Sequence, residues 1–281
     1  MTRRVWPLVA IAGCYAPHAL PGSPCSPTLT NCPEGQTCAL VAGSYVCTAG
    51  AGADAAADSP ILDAPRDTFV GPDAPVDAPP GTPWTLVQTA QVENGTTVTI
   101  APSGAGHLII VGVETLDPIA AVQDDAASSY VEVPMGRGTA ASAGLGIDLW
   151  YAKNTSAGAT TIVVATSSAN AVVVWEVAGI RTTAPLDAAS SRSDQAATTL
   201  PVGAPITTSA AGDFVVSVAI VANVVSGIHA GNEFTNDRTA KGNGWAHLTS
   251  ASAPAGVHQA KWDQPTPGVY CAASAAFFTG P

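Results

Sequence analysis

Six cysteines carry most of the chemistry that the residue types of this 281-residue chain offer, and their spacing sorts them into three groups. Cys14 stands alone near the start, Cys25, Cys32, Cys38 and Cys47 crowd into one short segment, and Cys271 lies near the end. The crowded four are separated by six, five and eight residues. Zinc knuckles bring their ligands in pairs two to four residues apart, so this spacing argues against a metal site. An even set of closely spaced thiols reads instead as a disulfide framework in an oxidising compartment. Of the three possible pairings, Cys25 with Cys38 and Cys32 with Cys47 is favoured, an interleaved staple. A segment as short as residues 25–47 cannot bury a self-sufficient core, so crosslinks must supply its order. Cys271 follows Val269 and Tyr270 amid small apolar residues, where a free thiol behaves as a small hydrophobe.

The remaining reactive groups are scattered. Asp124 and Asp125 are adjacent, but a calcium ion needs six to eight oxygens and Glu132 is the nearest addition, so the pair reads as a solvated turn. Asp148 shares a strand face with Trp150 and Ala152 and reads as a cross-strand hydrogen-bonding or edge residue. The histidines, at 18, 107, 229, 247 and 258, show neither H-x-H nor H-E-x-x-H spacing. No G-x-S-x-G elbow is present to hold a nucleophile. The expectation is therefore no catalytic residue, no metal and no cofactor, with an unrecognised hydrolase as a minor alternative. Tryptophan offers a different chemistry. There are six in a chain that is only 6% aromatic. Trp150 and Trp175 sit in apolar runs and are expected in the core. Trp245 and Trp262 lie in Gly- and Pro-flanked stretches beside Asn243, His247, Asp263 and Gln264, an arrangement suited to stacking a sugar ring and bonding its hydroxyls.

The elements that would position these residues begin with a leader. Arg3 and Arg4 form a cationic start, and Val5 to Ala12 form an apolar run far too short to cross a bilayer. Ile11-Ala12-Gly13-Cys14 resembles the bacterial lipobox, in which an aliphatic and two small residues precede a cysteine. That resemblance implies removal of residues 1–13, a diacylglycerol on the Cys14 sulfur and an acylated new N-terminus. Such acylation exceeds the two signals that stable membrane anchoring needs. Tyr15 in place of Asp lacks the inner-membrane retention signal, which implies the outer membrane. Thr2-Arg3-Arg4 is also similar to a twin-arginine signal, from which Trp6-Pro7 departs.

Composition bounds the partners. Ten Lys and Arg against 21 Asp and Glu give a net charge of −11 and a pI near 4.6. A nucleic-acid binder needs clustered cations, so nucleic acid is not an expected partner. No window offers about 18 uninterrupted apolar residues for a membrane-spanning helix. After a lipidated tether over 14–24 and the cysteine module over 25–47, residues 48–82 form an Ala/Asp/Pro linker. Between 51 and 82 there are eight Ala, six Asp and six Pro. Proline removes helix donors and like charges repel, so this segment is expected to be extended and disordered.

From residue 83 to 281 the texture is that of strands. Runs rich in Val, Ile and Thr recur every ten to fifteen residues between Gly, Asn, Ser and Pro. They cover Trp84–Val92, Thr97–Ala101, His107–Glu114, Gly146–Lys153, Thr160–Thr166, Val172–Val177, Asp213–Val221 and Val269–Phe278. Asn94-Gly95 marks a hairpin turn. The near-continuous apolar runs at Val172–Trp175 and Phe214–Val218 predict strands covered on both faces. The fold class is all-β, one jelly-roll-like β-sandwich with an internal duplication. Gly104–Val113 aligns with Ser209–Val218, and two closing strands end at Val177 and Phe277. Asn94-Gly-Thr and Asn154-Thr-Ser match the glycosylation acceptor pattern, here by coincidence.

The segments Trp84–Gln88, Ala105–Val111, Trp150–Asn154, Glu176–Ile180 and Ala184–Asp187 resemble a β-sandwich domain of secreted and surface-attached bacterial proteins, which often accompanies carbohydrate-active or adhesive modules. The resemblance carries no catalytic residues. The combined expectation is a non-enzymatic lipoprotein, exported and lipid-anchored at the outer membrane or cell surface. It would display a binding or adhesion domain for a surface glycan or protein. The alternative is a carbohydrate-binding module acting through Trp245, Trp262 and Asp263.

Overall fold

The computed structural model describes residues 36–41, 44–49 and 83–280, and the chain divides into two units, Met1–Gly71 and Pro72–Pro281. In the first unit, β1 (Gln36–Val41) and β2 (Ser44–Ala49) form an antiparallel hairpin whose register sets Cys38 opposite Cys47. Cys38 is disulfide-bonded. Cys14, Cys25, Cys32 and residues 50–82 lie outside the described residues, so the proposed anchor, pairing and linker all fall there wholly or in part.

The second unit is built twice. Its first half contains β3 (Thr85–Glu93), β4 (Thr97–Thr99), β5 (Leu108–Glu114), β6 (Ala121–Asp124), β7 (Tyr130–Glu132), β8 (Gly138–Ala140), β9 (Leu145–Ala152), β10 (Thr161–Ala165) and β11 (Ala171–Ala178). Its second half contains β12 (Leu186–Thr198), β13 (Ile206–Thr208), β14 (Phe214–Val221), β15 (Gly227–Ile228), β16 (Phe234–Arg238), β17 (Gly244–Leu248), β18 (Gly256–His258), β19 (Trp262–Asp263) and β20 (Gly268–Phe277). The large sheets run β3-β11-β5-β9-β7 and β12-β20-β14-β17-β16, the same order strand for strand. The small sheets also correspond, β4-β10-β6 against the pairs β13-β18 and β15-β19. Each half passes its chain between a large and a small sheet in jelly-roll fashion.

Side-chain alternation turns these sheets into four layers with three apolar interiors. Ile109, Val111 and Val113 of β5 pack with Val98, Ile162 and Val164 of the small sheet in the first half. The alternate residues, Leu108 and Ile110, join Phe214, Val216, Val218 and Ile220 of β14 in a central core shared by both halves. Val215, Ala219 and Val221 face a third interior with Ile206, Phe234 and Trp262. The continuous apolar runs follow from this arrangement: β5, β11, β14 and β20 bury both faces, so neither face selects polar residues.

The expected all-β sandwich with an internal duplication is what the chain forms, each repeat making a small sandwich with the two large sheets packed face to face. One correction concerns the duplication: its register is one residue off. Leu108 pairs with Val177 as Phe214 pairs with Phe277, so Leu108 matches Phe214 and not Asp213. Gly106 and Gly212, both with positive φ (76° and 82°), mark the same turn in each half. A one-residue slip exchanges the two faces of a strand, and here both faces are apolar, so the hydrophobic pattern alone does not fix the register. All eight expected strands are present within two residues of their expected ends. The 13-residue β12 was not foreseen: its Ala, Ser, Asp and Gln have little strand propensity, and pairing to β20 holds it extended.

The central core closes tightly. The rings of Trp175 and Trp245 lie 6.2 Å apart, and Trp84 meets Phe214 edge-on at 4.9 Å. Gly112 makes the room: a Cβ there would sit 2.8 Å from Trp245 and 3.3 Å from Trp175. Gly112→Val is therefore expected to destabilise the second unit by about 1–3 kcal/mol, the usual cost of overpacking a filled core. Urea denaturation followed by tryptophan fluorescence measures this, and an unchanged midpoint would contradict the tight seam.

Candidate functional site

The tryptophans singled out for sugar stacking are interior residues. Trp245 and Trp262 are both 0% exposed. The Trp245 Nε1 donates to the Ala240 carbonyl at 3.2 Å, and the Trp262 Nε1 donates to Asn236 Oδ1 at 3.1 Å. The ring of Trp262 lies so close to Gly244 that a Cβ there would fall 2.4 Å from it. No ring face is left for a pyranose, which corrects the expectation for both residues. Asp263 is half-exposed and accepts from His229 Nδ1 at 2.8 Å, away from any open ring.

The histidines and carboxylates are likewise engaged with one another. Each described histidine, His107, His229, His247 and His258, bonds a carboxylate through Nδ1, at 2.6 to 3.1 Å. The most deeply buried of these carboxyls lies in the first half. Glu176 is fully buried in β11, where one oxygen binds His107 and the Gly104 amide at 2.6 and 2.7 Å, and the other accepts from Gln88 at 2.5 Å. A carboxyl so deeply buried is tolerated because both of its oxygens are hydrogen-bonded; leaving a buried polar group unpaired typically costs about 1–3 kcal/mol. At the seam between halves, Asp237 accepts from Trp175 Nε1 at 2.8 Å with one oxygen and contacts His247 at 2.7 Å with the other. Among the described residues, no group of three or more His, Cys, Asp or Glu is gathered as a metal set would be.

The other expected assignments fall into place locally. Asp124 caps its own turn, accepting from the Ala126 and Ser128 amides and the Tyr130 hydroxyl. The Thr160 hydroxyl and the Thr160 and Thr161 amides hold Asp125 down at about 2. Asp148 is buried beside Arg137, and burial pushes its carboxyl up to about 6. Cys271 is a buried free thiol, pushed up to about 12 by the same cause.

Among the described residues, a shallow hollow of about 450 Å³ opens to solvent at one end of the first half. Two turns form it: Asn94, Gly95 and Thr96 between β3 and β4, and Ser167, Ser168, Ala169 and Asn170 between β10 and β11. Asn94 sits at φ 54°, a conformation that Asn tolerates better than most residues. Its amide donates to the Asn170 carbonyl at 2.7 Å and ties the turns together. Asp117 holds the second turn through the Ser167 and Ser168 hydroxyls at 2.5 and 2.7 Å, and Thr115 donates to the Ser168 carbonyl at 2.8 Å.

No protein-family model, curated protein or solved structure matches this chain. The hollow is therefore read from its own chemistry.

Two carboxyls flank it, and their surroundings drive them apart. The Ser167 and Ser168 hydroxyls hold Asp117 below its usual range. Glu114, 5% exposed, is pushed up to about 7 by burial, against the opposing hydrogen bonds of Asn170 and Asn243. Divergent carboxyls of this kind serve acid–base chemistry when both reach a substrate. Here both oxygens of Glu114 are taken, by Asn170 at 3.3 Å and by Asn243 at 2.9 Å, and Asn170 stands between it and the hollow. Glu114 is thus a seam residue bonding the second half, and the hollow presents amides and hydroxyls. None of its residues was singled out as a binding residue from the sequence, because Asn, Ser, Thr and Gly are also what ordinary turns contain.

One buried acid has lost its counterpart. The second half places Asp213 where the first has His107, and Ala276 where the first has Glu176. Asp213 is 2% exposed with neither oxygen hydrogen-bonded by a donor, and burial followed by the neighbouring Asp187 carboxyl pushes it up to about 8. A group that binds its proton more tightly when folded contributes stability below its unfolded value, here 3.8, and loses that contribution as pH rises through about 8. Thermal stability is expected to fall between those values, and Asp213→Asn, which keeps the shape without the charge, should flatten that decline. A pH series of melting temperatures on both chains decides it; parallel curves would refute the assignment.

Proposed function

We propose that this chain is a non-enzymatic surface lipoprotein, exported, anchored in the membrane through acylated Cys14 and displaying a tandem β-sandwich as a binding or adhesion domain. The observation that carries the reading is a cysteine directly behind a short cationic and apolar leader, Arg3 to Gly13. The disulfide at Cys38 supports an oxidising compartment beyond the cytoplasm. No helix among the described residues is long and apolar enough to cross a membrane, so in this reading attachment falls to the lipid. In this reading the Ala-, Asp- and Pro-rich segment is the tether between the anchor and the displayed domain. Metabolic labelling with an alkyne fatty acid tests the anchor: the wild type is expected to carry label and Cys14→Ala to lose it. Equal label in both would refute the reading.

A second reading gives the displayed domain a ligand class. The hollow is lined by Asn94, Thr96, Ser167, Ser168 and Asn170, hydrogen-bonding side chains without formal charge. Such a lining suits a neutral, hydroxyl-rich ligand such as a glycan. It has no aromatic platform, so a single sugar ring would bind weakly, and many copies on one surface would supply avidity, which multiplies affinity by about 10² to 10⁴. Full-length protein in detergent, applied to a neutral glycan array, is expected to retain signal that Asn94→Gly with Thr96→Val removes. Glycine suits the positive φ at residue 94, so the fold is retained. Signal that is absent, or unaffected by the double substitution, would reject the hollow as the site.

A further inference from the structure

The sequence contains two Asn-Gly pairs, Asn94-Gly95 and Asn243-Gly244, and the fold treats them in opposite ways. Asn243 is 1% exposed; its Oδ1 accepts from the Val221 amide at 2.9 Å and its Nδ2 donates to Glu114 at 2.9 Å. Gly244 lies within β17, opposite Ala219 and pressed against the Trp262 ring. The side chain is bonded at both ends, and the following glycine lies inside a buried strand. Asn94 is exposed in the turn between β3 and β4, which join different sheets and so do not form the hairpin its Asn-Gly sequence suggests. Among the described residues no hydrogen bond engages its side-chain amide or the Gly95 nitrogen. Glycine also brings no Cβ to shield that nitrogen.

We propose that Asn94 is a site of spontaneous deamidation, a modification that changes the charge of the hollow as the protein ages. The Gly95 nitrogen gives up its proton to solvent base and attacks Cγ of Asn94. The N–Cγ bond forms, the Cγ–Nδ2 bond breaks, and Nδ2 leaves as ammonia, taking up a proton. One water then opens the five-membered imide. Opening at Cγ gives aspartate with the ordinary backbone, and opening at the main-chain carbonyl gives isoaspartate, with the backbone running through Cγ. The net reaction consumes one water and releases one ammonia, with no oxidation or reduction.

The product matters because of where it forms. A new carboxylate appears on the rim of the hollow, next to Glu93 and across from the turn that Asp117 holds. A lining of uncharged amides and hydroxyls thereby becomes acidic. The isoaspartate form also lengthens the turn by one backbone carbon, between the Asn94 nitrogen that bonds the Asn170 carbonyl at 2.7 Å and the start of β4. The central core, built from other residues, is untouched.

The test is peptide mass mapping of the full chain, aged in mildly alkaline buffer, with enzymatic methylation to detect isoaspartyl carboxyls. Asn94 is expected to convert to a mixture of aspartate and isoaspartate at a rate that rises with pH, while Asn243 keeps its amide. Gly95→Ala should slow conversion on the order of tenfold or more, because the attacking nitrogen is no longer free to reach Cγ. Conversion at Asn243 as fast as at Asn94 would overturn the argument from burial. So would a folded chain that keeps the Asn94 amide while a synthetic peptide of residues 90–99 converts alongside it.

Discussion

The dry contact between the two large sheets is the constraint on which the second unit depends. Neither half is finished alone: Leu108, Ile110, Val173 and Trp175 of one sheet, and Phe214, Val216, Val218 and Trp245 of the other, have no cover except each other. At about 25 cal/mol per Å² of apolar surface, exposing such a face to water would cost more than a domain of this size has in reserve. The seam therefore holds the halves as one body. It also explains its own polar content. Three polar side chains near it are bonded across it: Trp175 to Asp237, Asn243 to Glu114, and Arg238 to the Thr89 carbonyl. An unpaired group there would cost its desolvation without return.

Duplication supplies the frame, and divergence at matching positions supplies the differences. The first strand of each half sends a side chain to the backbone amide just past its second strand, Gln88 to Ala101 and Asp187 to Ser209. Beside that shared bond, the first half holds His107 and Glu176 as a satisfied pair. The second replaces them with Asp213 and Ala276, leaving two acids side by side. The geometry of the backbone is retained while a hydrogen-bonded His–Glu pair gives way to two neighbouring carboxyls. Proton sharing relieves the like charge, which is why the acid that is buried is the one whose proton is held.

How much of this is legible in the sequence depends on what each residue is buried against. The four doubly covered strands announce themselves as runs of Val, Ile and Ala, and their positions were readable to within two residues. Short strands such as β15 and β19 carry no pattern, because two residues cannot display a period. Trp262 reads as a surface residue, since Pro265, Pro267 and polar neighbours surround it in the chain. What buries it is Gly244, eighteen positions away, whose missing Cβ opens the slot. That information is a distance in space and has no local signature.

The hollow was illegible for a related reason. Its two turns are some seventy residues apart, and each has a sufficient local explanation in turn chemistry. Only the fold shows that Asp117, Thr115 and the Asn94–Asn170 bond hold the turns fixed with several side chains facing water. Fixed polar groups favour recognition over packing, since a ligand then meets hydrogen-bonding groups whose ordering has already been secured by the fold. The same fixity separates the two Asn-Gly pairs. At Asn243 the fold spends the amide on the seam, and at Asn94 it orders the backbone but leaves the amide free. Reactivity and recognition thus converge on one residue because both require a side chain that the core does not use.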